Sequence, residues 1–337
     1  MGLNWLITGG CGFIGRNLVE NLINEGGHYI RIIDNLSVGT LSDLSQVCCF
    51  GELPPKKEAF STVAPGVEVV VGDILDQELA VFLLEGIDVV VHLAANTGVG
   101  PSVKNPRKDC ETNIIGTLNY LEAAKKHNIK RFIFASSGAP VGECEPPIHE
   151  ELPPHPVSPY GASKLAGEAY CSAYFKTFGV ETVALRFGNV YGPYSSRKSS
   201  VVAQFIKNVM KKEPITIYGD GSQTRDFIFI QDLIRAIRSS ASGKNIGGEI
   251  FQIATNQETT VNYVAQVVLS LFKKRGLVDY YCIEKRSPRL GDVQRNFSNT
   301  DKAKQLLNWN STVSLEEGVE KTINWFMQNK ESLELSL

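Results

Sequence analysis

No stretch of this 337-residue chain is apolar over the length that crosses a bilayer, and no charged-then-apolar leader opens it, so no membrane partner is expected. Neither charge is in surplus. The 34 basic and 36 acidic residues are intermixed and leave a net charge of −2, which gives nucleic acid no basic field and anionic lipid no polybasic patch. Cysteine is scarce and odd in number, and the seven lack metal-ligand spacing. No metal is expected, and the usage points to a reducing cytoplasm. Cys48 and Cys49 read as loop or packing residues. Internal repeats and disordered stretches are not apparent. What remains, with 43% hydrophobic residues, is enough to bury a sizeable core as one large domain carrying a smaller one.

Short apolar runs alternate with amphipathic helical patterns. Leu3–Ile7 reads as a buried strand that runs into Thr8-Gly-Gly-Cys-Gly-Phe-Ile-Gly15, and a helix comes next with Ile14, Leu18, Leu22 and Ile23 on one side. Gly9, Gly12 and Gly15 therefore sit in a strand-to-helix turn, where missing side chains let backbone amides approach a pyrophosphate. A second strand, Tyr29–Ile33, ends in Asp34, placed to accept from a ribose diol and to repel a 2′-phosphate, which favours NAD over NADP; it is also a common turn residue. After the turn-rich Asn35-Leu-Ser-Val-Gly39, a polar stretch over 46–65 reads as an insertion to which no chemistry is assigned. Further strands lie at Val67–Val71, Ile87–Val91, Arg131–Phe134 and Thr182–Arg186, six in all, implying a right-handed, mostly parallel α/β sheet covered on both faces. Asp73 could accept from an adenine amine or cap the next helix, and His92 reads as a satisfied structural histidine.

The stretch Ser158-Pro-Tyr-Gly-Ala-Ser-Lys-Leu-Ala-Gly-Glu168 places a phenol and an ammonium four residues apart. In a helix begun at Pro159 they share a face, and a nearby cation favours phenolate, so Tyr160 and Lys164 form a plausible acid/base pair. Ser136-Ser137, after the fifth strand, brings a hydroxyl to the same sheet edge.

Taken in order, Thr8–Gly15, Asp34-Asn-Leu-Ser37, Gly72-Asp-Ile74, His92-Leu-Ala-Ala95, Ser136-Ser137, Tyr160-Gly-Ala-Ser-Lys164 and Leu185-Arg-Phe-Gly-Asn-Val-Tyr-Gly-Pro193 resemble the extended short-chain dehydrogenase/reductase family over nearly the whole chain. Within it they resemble the nucleotide-sugar epimerases and dehydratases. The resemblance implies a Rossmann-type doubly wound sheet in residues 1–187 and a smaller nucleotide-sugar-binding domain in 188–337, with a segment near 226–257 returning to the first. It implies NAD held by Gly9, Gly12, Phe13, Ile14, Gly15, Asp34, Asn35, Asp73, Ile74, Leu93, Ala94, Ala95, Asn113, Tyr160 and Lys164. Ser137, Tyr160 and Lys164 would be catalytic, with Lys164 lowering the tyrosine pKa. Thr97, Ser137, Asn189, Val202, Arg225, Arg289, Asp292 and Asn296 would face the substrate, and a homodimer is expected through the helices holding 113–126 and 160–175.

The two residues after Ser137 indicate the reaction. Dehydrating relatives carry an acidic pair there and decarboxylating ones a glutamate, whereas this chain has Gly138 and Ala139, which cannot protonate a leaving group. Epimerisation at C4 of a nucleotide hexose, a UDP-sugar favoured, needs neither. Net 4-keto-sugar reduction, a 3,5- or 5-epimerisation and a non-catalytic dinucleotide-sensing scaffold stand as alternatives. One departure from the family is Pro140-Val-Gly142, which lacks an aromatic ring and would widen the sugar pocket if Val141 shares a wall with Asn296. Asn296 itself reads either as a small pocket residue admitting an N-acetyl group or as a turn residue. Asp232 and Thr300 read as helix caps, Ser314 with Glu317 as a capping box, and Trp309 and Trp325 as core anchors.

Overall fold

The protein is described from a computed structural model covering residues 2–53, 66–277, 282–288, 293–331 and 333. In chain order the first part gives β1 (Asn4–Thr8), α1 (Phe13–Glu25), β2 (Tyr29–Asp34), α2 (Leu41–Ser45), β3 (Gly51–Leu53), β4 (Gly66–Val71), α3 (Gln77–Leu83) and β5 (Val89–His92). Next come α4 (Val99–Lys104), α5 (Pro106–Cys110), a π-helical turn (Glu111–Ile115) leading into α6 (Gly116–His127), β6 (Arg131–Ser137), α7 (Pro159–Phe178) and β7 (Thr182–Phe187). The chain then leaves the sheet through β8 (Asn189–Tyr191), α8 (Val201–Met210), β9 (Ile215–Tyr218), β10 (Thr224–Arg225) and β11 (Phe227–Phe229). It returns along α9 (Ile230–Ser242) to β12 (Glu249–Ile253). Beyond lie β13 (Thr259–Thr260), α10 (Val261–Lys274), β14 (Ile283–Arg286), α11 (Asp301–Leu307) and α12 (Leu315–Gln328).

Eight strands form one parallel sheet in the order β12-β7-β6-β5-β1-β2-β4-β3. Two of these extend the six expected: β3 arises inside the polar insertion, and β12 lies within the segment expected to return. Alternation along each strand divides the core between the two faces. Trp5, Ile7, Val89, Val91, Ile133 and Val183 pack towards α1 and α9, while Leu6, Val90, Phe132, Phe134 and Ala184 pack towards α6 and α7. The strand order reverses at β1, which has β2 on one side and β5 on the other. In such sheets the crevice beyond the carboxyl ends at that point receives ligands.

α7 begins as its sequence dictates. The Ser158 hydroxyl accepts from the Gly161 amide at 3.1 Å, Pro159 occupies the first turn, and Gly179 ends the helix in the left-handed conformation. A methyl group on Gly167 would lie 2.3 Å from the Phe134 ring, so this glycine lets α7 press directly onto β6.

Several expectations about the scaffold need correcting. Asp232 lies inside the first turn of α9 and caps nothing. Its carboxylate accepts from the Thr312 and Val313 amides at 3.0 and 3.1 Å, tying the chain ahead of α12 to this helix. Thr300 precedes α11 but its side chain makes no capping bond, whereas Ser314 does accept from the Glu317 amide at 3.2 Å. Trp309 is buried and donates to the Asp232 carbonyl, and Trp325 packs on the same cluster. Among the described residues no helix is long and apolar enough to cross a membrane.

Candidate active site

A single cleft of about 1480 Å³ runs along the carboxyl ends of the central strands. Pockets for one drug-sized ligand span roughly 300–1,000 Å³, so this cleft has room for a dinucleotide and a second ligand together.

At one end lies the glycine turn. Gly9 adopts φ +72°, a backbone that a side chain would strain, and its amide donates to the Ile33 carbonyl of β2 at 2.8 Å. A methyl group on Gly15 would fall 2.6 Å from the Gly10 Cα and the Gly9 carbonyl oxygen, so α1 can start against the turn only with hydrogen there. Gly12 precedes α1 in an extended conformation, and no side chain caps the first turn. Gly12, Phe13, Ile14 and Gly15 line the cleft, so the positive end of the helix opens onto it. These features fit the pyrophosphate of a dinucleotide. At the end of β2 the buried Asp34 carboxylate accepts from the Cys11 and Leu36 amides at 3.0 and 2.9 Å, which fixes its direction; burial nevertheless pushes its pKa up. Asn35 donates to Asp73 at 3.0 Å across the mouth. The cap of α3 is Asp76, which accepts from Leu79, so Asp73 is not spent on capping and lines the cleft with Ile74, Leu93, Ala94, Ala95 and Thr97.

The middle of the cleft holds Ser137, Tyr160 and Lys164. The first turns of α7 face the end of β6 and bring the Ser137 hydroxyl alongside the Tyr160 phenol. The buried Lys164 ammonium donates to the Ala135 carbonyl at 2.8 Å and lies 5.9 Å from the centre of the Tyr160 ring. Burial pushes the Tyr160 phenol up to about 12; the neighbouring Ser137 hydroxyl opposes this and the Asp109 carboxylate adds to it. Desolvation sets the direction of this shift, and the Lys164 ammonium is directed at the Ala135 carbonyl. Burial brings Lys164 itself down to about 8, while the Asp109 and Glu168 carboxylates favour its charged form.

Two buried carboxylates behind this set, Glu168 and Asp109, carry no role assigned from the sequence. Glu168, one turn beyond Lys164, accepts from Arg186 Nε and Nη2 at 2.8 and 2.7 Å and from the Ser136 hydroxyl at 2.5 Å, locking α7 onto β6 and β7. Asp109 accepts from Asn113 Nδ2 at 3.1 Å. Asn113 is consumed by this scaffold: it also donates to Asn96 O and Ser163 Oγ and accepts from the Asn96 amide, and it does not line the cleft. It shapes the loop beside the expected cofactor position. His92 is buried between the Thr8 and Thr117 hydroxyls at 3.0 and 3.2 Å, and burial lowers its pKa to about 3, so it stays neutral in the core.

The far end is walled by Asn189, Val202 and Arg225. β8 pairs with β11 in parallel, Asn189 opposite Phe227, and the Asn189 amide donates to the Asp226 carbonyl at 2.7 Å, so Asn189 and Arg225 are held close across one ribbon. Asn296 does not line the main cleft, but its Nδ2 lies beside Gly138, where an added methyl group would be 3.9 Å away, next to the segment that carries Ser137. Val141 is 1% exposed and turned inward, so the missing aromatic ring does not open the pocket there. Arg289 and Asp292 lie outside the described residues. Among the described residues no group of three or more His, Cys, Asp or Glu side chains could hold a metal ion.

Comparison with known proteins points the same way. The profile of the NAD dependent epimerase/dehydratase family matches residues 5–254. A UDP-glucuronate 4-epimerase of Thermodesulfobacterium geofontis is 33% identical over 98% of this chain and 97% of its own length. The structure of a UDP-glucose 4-epimerase from Thermotoga maritima, solved with UDP-glucose, superposes with a TM-score of 0.85 at 33% identity, covering 97% of this chain and 99% of the other. That of a UDP-glucuronic acid 4-epimerase from Bacillus cereus, in complex with UDP-glucuronic acid and NAD, gives a TM-score of 0.84 at 31% identity over 97% and 99%.

Proposed function

This chain belongs to the NAD dependent epimerase/dehydratase family, and from that premise we propose that Tyr160, Ser137 and Lys164 carry the inversion of a UDP-sugar at C4. The observation that supports the assignment is the placing of Ser137 and Tyr160 together beside a buried ammonium, in the cleft between the glycine turn and the Asn189–Arg225 wall. NAD, when bound, supplies the hydride acceptor and donor through which the sugar passes by way of a 4-ketone. Tyr160 Oη, as phenolate, takes the proton from the 4-hydroxyl and, as phenol, later returns it. Ser137 holds the same sugar oxygen, and the Lys164 ammonium counters the phenolate charge before that proton arrives. Gly138 and Ala139 put no acid beside Ser137, which favours plain oxidation and re-reduction over loss of water.

The glycine turn and Asp34 are the groups suited to hold the cofactor, and Asn189 with Arg225 supplies donors for the sugar nucleotide's diphosphate. Incubation with a UDP-hexose and no added nicotinamide cofactor, with the products read by NMR, tests the reaction. Accumulation of the C4 epimer is expected, whereas a strict requirement for stoichiometric NADH would indicate a reductase. Two finer proposals concern the sugar and the assembly. Asn296 admits an N-acetyl or similarly enlarged sugar, because it is small and lies beside Gly138. The chain pairs with a second copy through α6 and α7, in keeping with the exposed Tyr170 and Phe178; light scattering that finds only monomer at micromolar concentration would remove that proposal. Seven free cysteines suit a reducing compartment such as the cytoplasm.

A further inference from the structure

Residues 193–198 form a strap that crosses from the substrate side to the start of α1 and is bolted there. Asn17 Nδ2 donates to the Pro193 carbonyl at 3.1 Å and Arg16 Nη2 to the Tyr194 carbonyl at 2.9 Å. The Tyr194 hydroxyl donates to Glu20 at 2.9 Å, and Arg197 Nε to the Asp43 carboxylate at 2.7 Å. From the other side Lys207 Nζ donates to the Ser196 and Lys198 carbonyls at 3.1 and 3.0 Å. The Arg197 charge is thereby satisfied. The half-buried Lys198 ammonium instead lies 5.9 Å from the centre of the Phe13 ring, and among the described residues no carboxylate or carbonyl accepts from it.

Phe13 opens the first turn of α1, whose amides no side chain caps. A desolvated cation thus stands across the cleft wall from a helix N-terminus, and the two together present positive charge to one place. Burial alone lowers the Lys198 pKa, with no anion opposing it, as expected of a group whose counter-charge is a ligand. A glycine cradle and a half-buried lysine suit a diphosphate, which brings two charges and several acceptor oxygens.

We propose that Lys198 is a ligand of the bound dinucleotide's pyrophosphate, closing it against α1 from the opposite side, so that cofactor retention depends on the strap. The proposal rests on the NAD reading above and adds a binding residue to it. The same chemistry could serve the diphosphate of the sugar nucleotide, and the test separates the two. Lys198→Met keeps the stem and removes the charge; full-length wild type, this variant and Lys198→Arg are titrated calorimetrically with NAD, ADP-ribose and UDP, with melting temperature as the folding control. Wild type must bind NAD, and failure there defeats the cofactor reading itself. Given that binding, Lys198→Met is expected to lose about tenfold or more in affinity for both NAD and ADP-ribose, the scale of one charge-assisted contact. UDP affinity and melting temperature should be unchanged, and Lys198→Arg should recover most of the loss. Unchanged NAD and ADP-ribose affinity, or a loss for UDP as large as that for NAD, overturns the proposal.

Discussion

Replacing Glu168 with glutamine should destabilise the protein more than any single change on the cleft wall. Its carboxylate and the Arg186 guanidinium have side chains 1% and 3% exposed, and they meet through two charge-assisted hydrogen bonds at 2.7 and 2.8 Å, with the Ser136 hydroxyl as a third donor. Arg186 Nη1 is already buried without a partner among the described residues, so the neutral amide would leave a cation with no counter-charge and one further poor contact. Breaking a buried pair from one side costs about 3–5 kcal/mol, whereas replacing both partners with apolar groups of similar volume can be nearly neutral. Urea unfolding monitored by tryptophan fluorescence should show Glu168→Gln losing about 3–5 kcal/mol and the double variant Glu168→Leu/Arg186→Met losing much less. A loss below about 1 kcal/mol for the single change, or a double variant no better than the single one, would refute the pair as the clasp of α7 to the sheet.

Tyr160→Phe should abolish turnover while NAD stays bound, and wild-type rates in that variant would end the proposed proton transfer. Because burial sets Lys164 near 8, its ammonium loses its proton as pH rises through about 8, so kcat/KM should fall on the alkaline side of that value; a profile flat to pH 10 counts against a charged Lys164 in the reaction. Asn296→Tyr should impair UDP-N-acetylglucosamine selectively over UDP-glucose, and an unchanged ratio of kcat/KM would remove Asn296 from the pocket. Calorimetry should find NAD tighter than NADP, since the fixed Asp34 carboxylate repels a 2′-phosphate, and the reverse order would overturn that role.

Much of the site was legible because its parts are local. A glycine turn between a strand and a helix, an acid closing β2, and a tyrosine and a lysine one helical turn apart each announce themselves within a few residues, and the sheet delivers them to one edge. The contributions missed depend on distance. β3 is three residues with no apolar alternation, identified only by its pairing with β4. Asp232 finds its partners 80 and 81 residues away, so its position at a helix start suggested a cap that the backbone does not need. The bonds of Asn113 to Asn96 and Ser163 reach 17 and 50 residues along the chain, so nothing local announces them. The Tyr160 pKa could not be inferred from spacing alone, since burial sets its direction and burial belongs to the assembled molecule.

Every donor placed at the far wall, from Asn189 to Arg225, lies in one excursion that departs after β7 and rejoins at β12. The ends of that excursion touch, for the Gly188 amide donates to the Ile253 carbonyl at 3.0 Å and β7 runs beside β12. Closing so long a detour over adjacent strands adds little to its entropic cost, because that cost grows only logarithmically with length. The donors of the far wall are therefore a separate inheritance from the Ser137–Tyr160 pair. Residues on the detour can drift, lengthen or be exchanged as a cassette while the ladder that aligns Ser137 with Tyr160 keeps its register, so the scaffold can acquire a new sugar without reinventing how one is turned over.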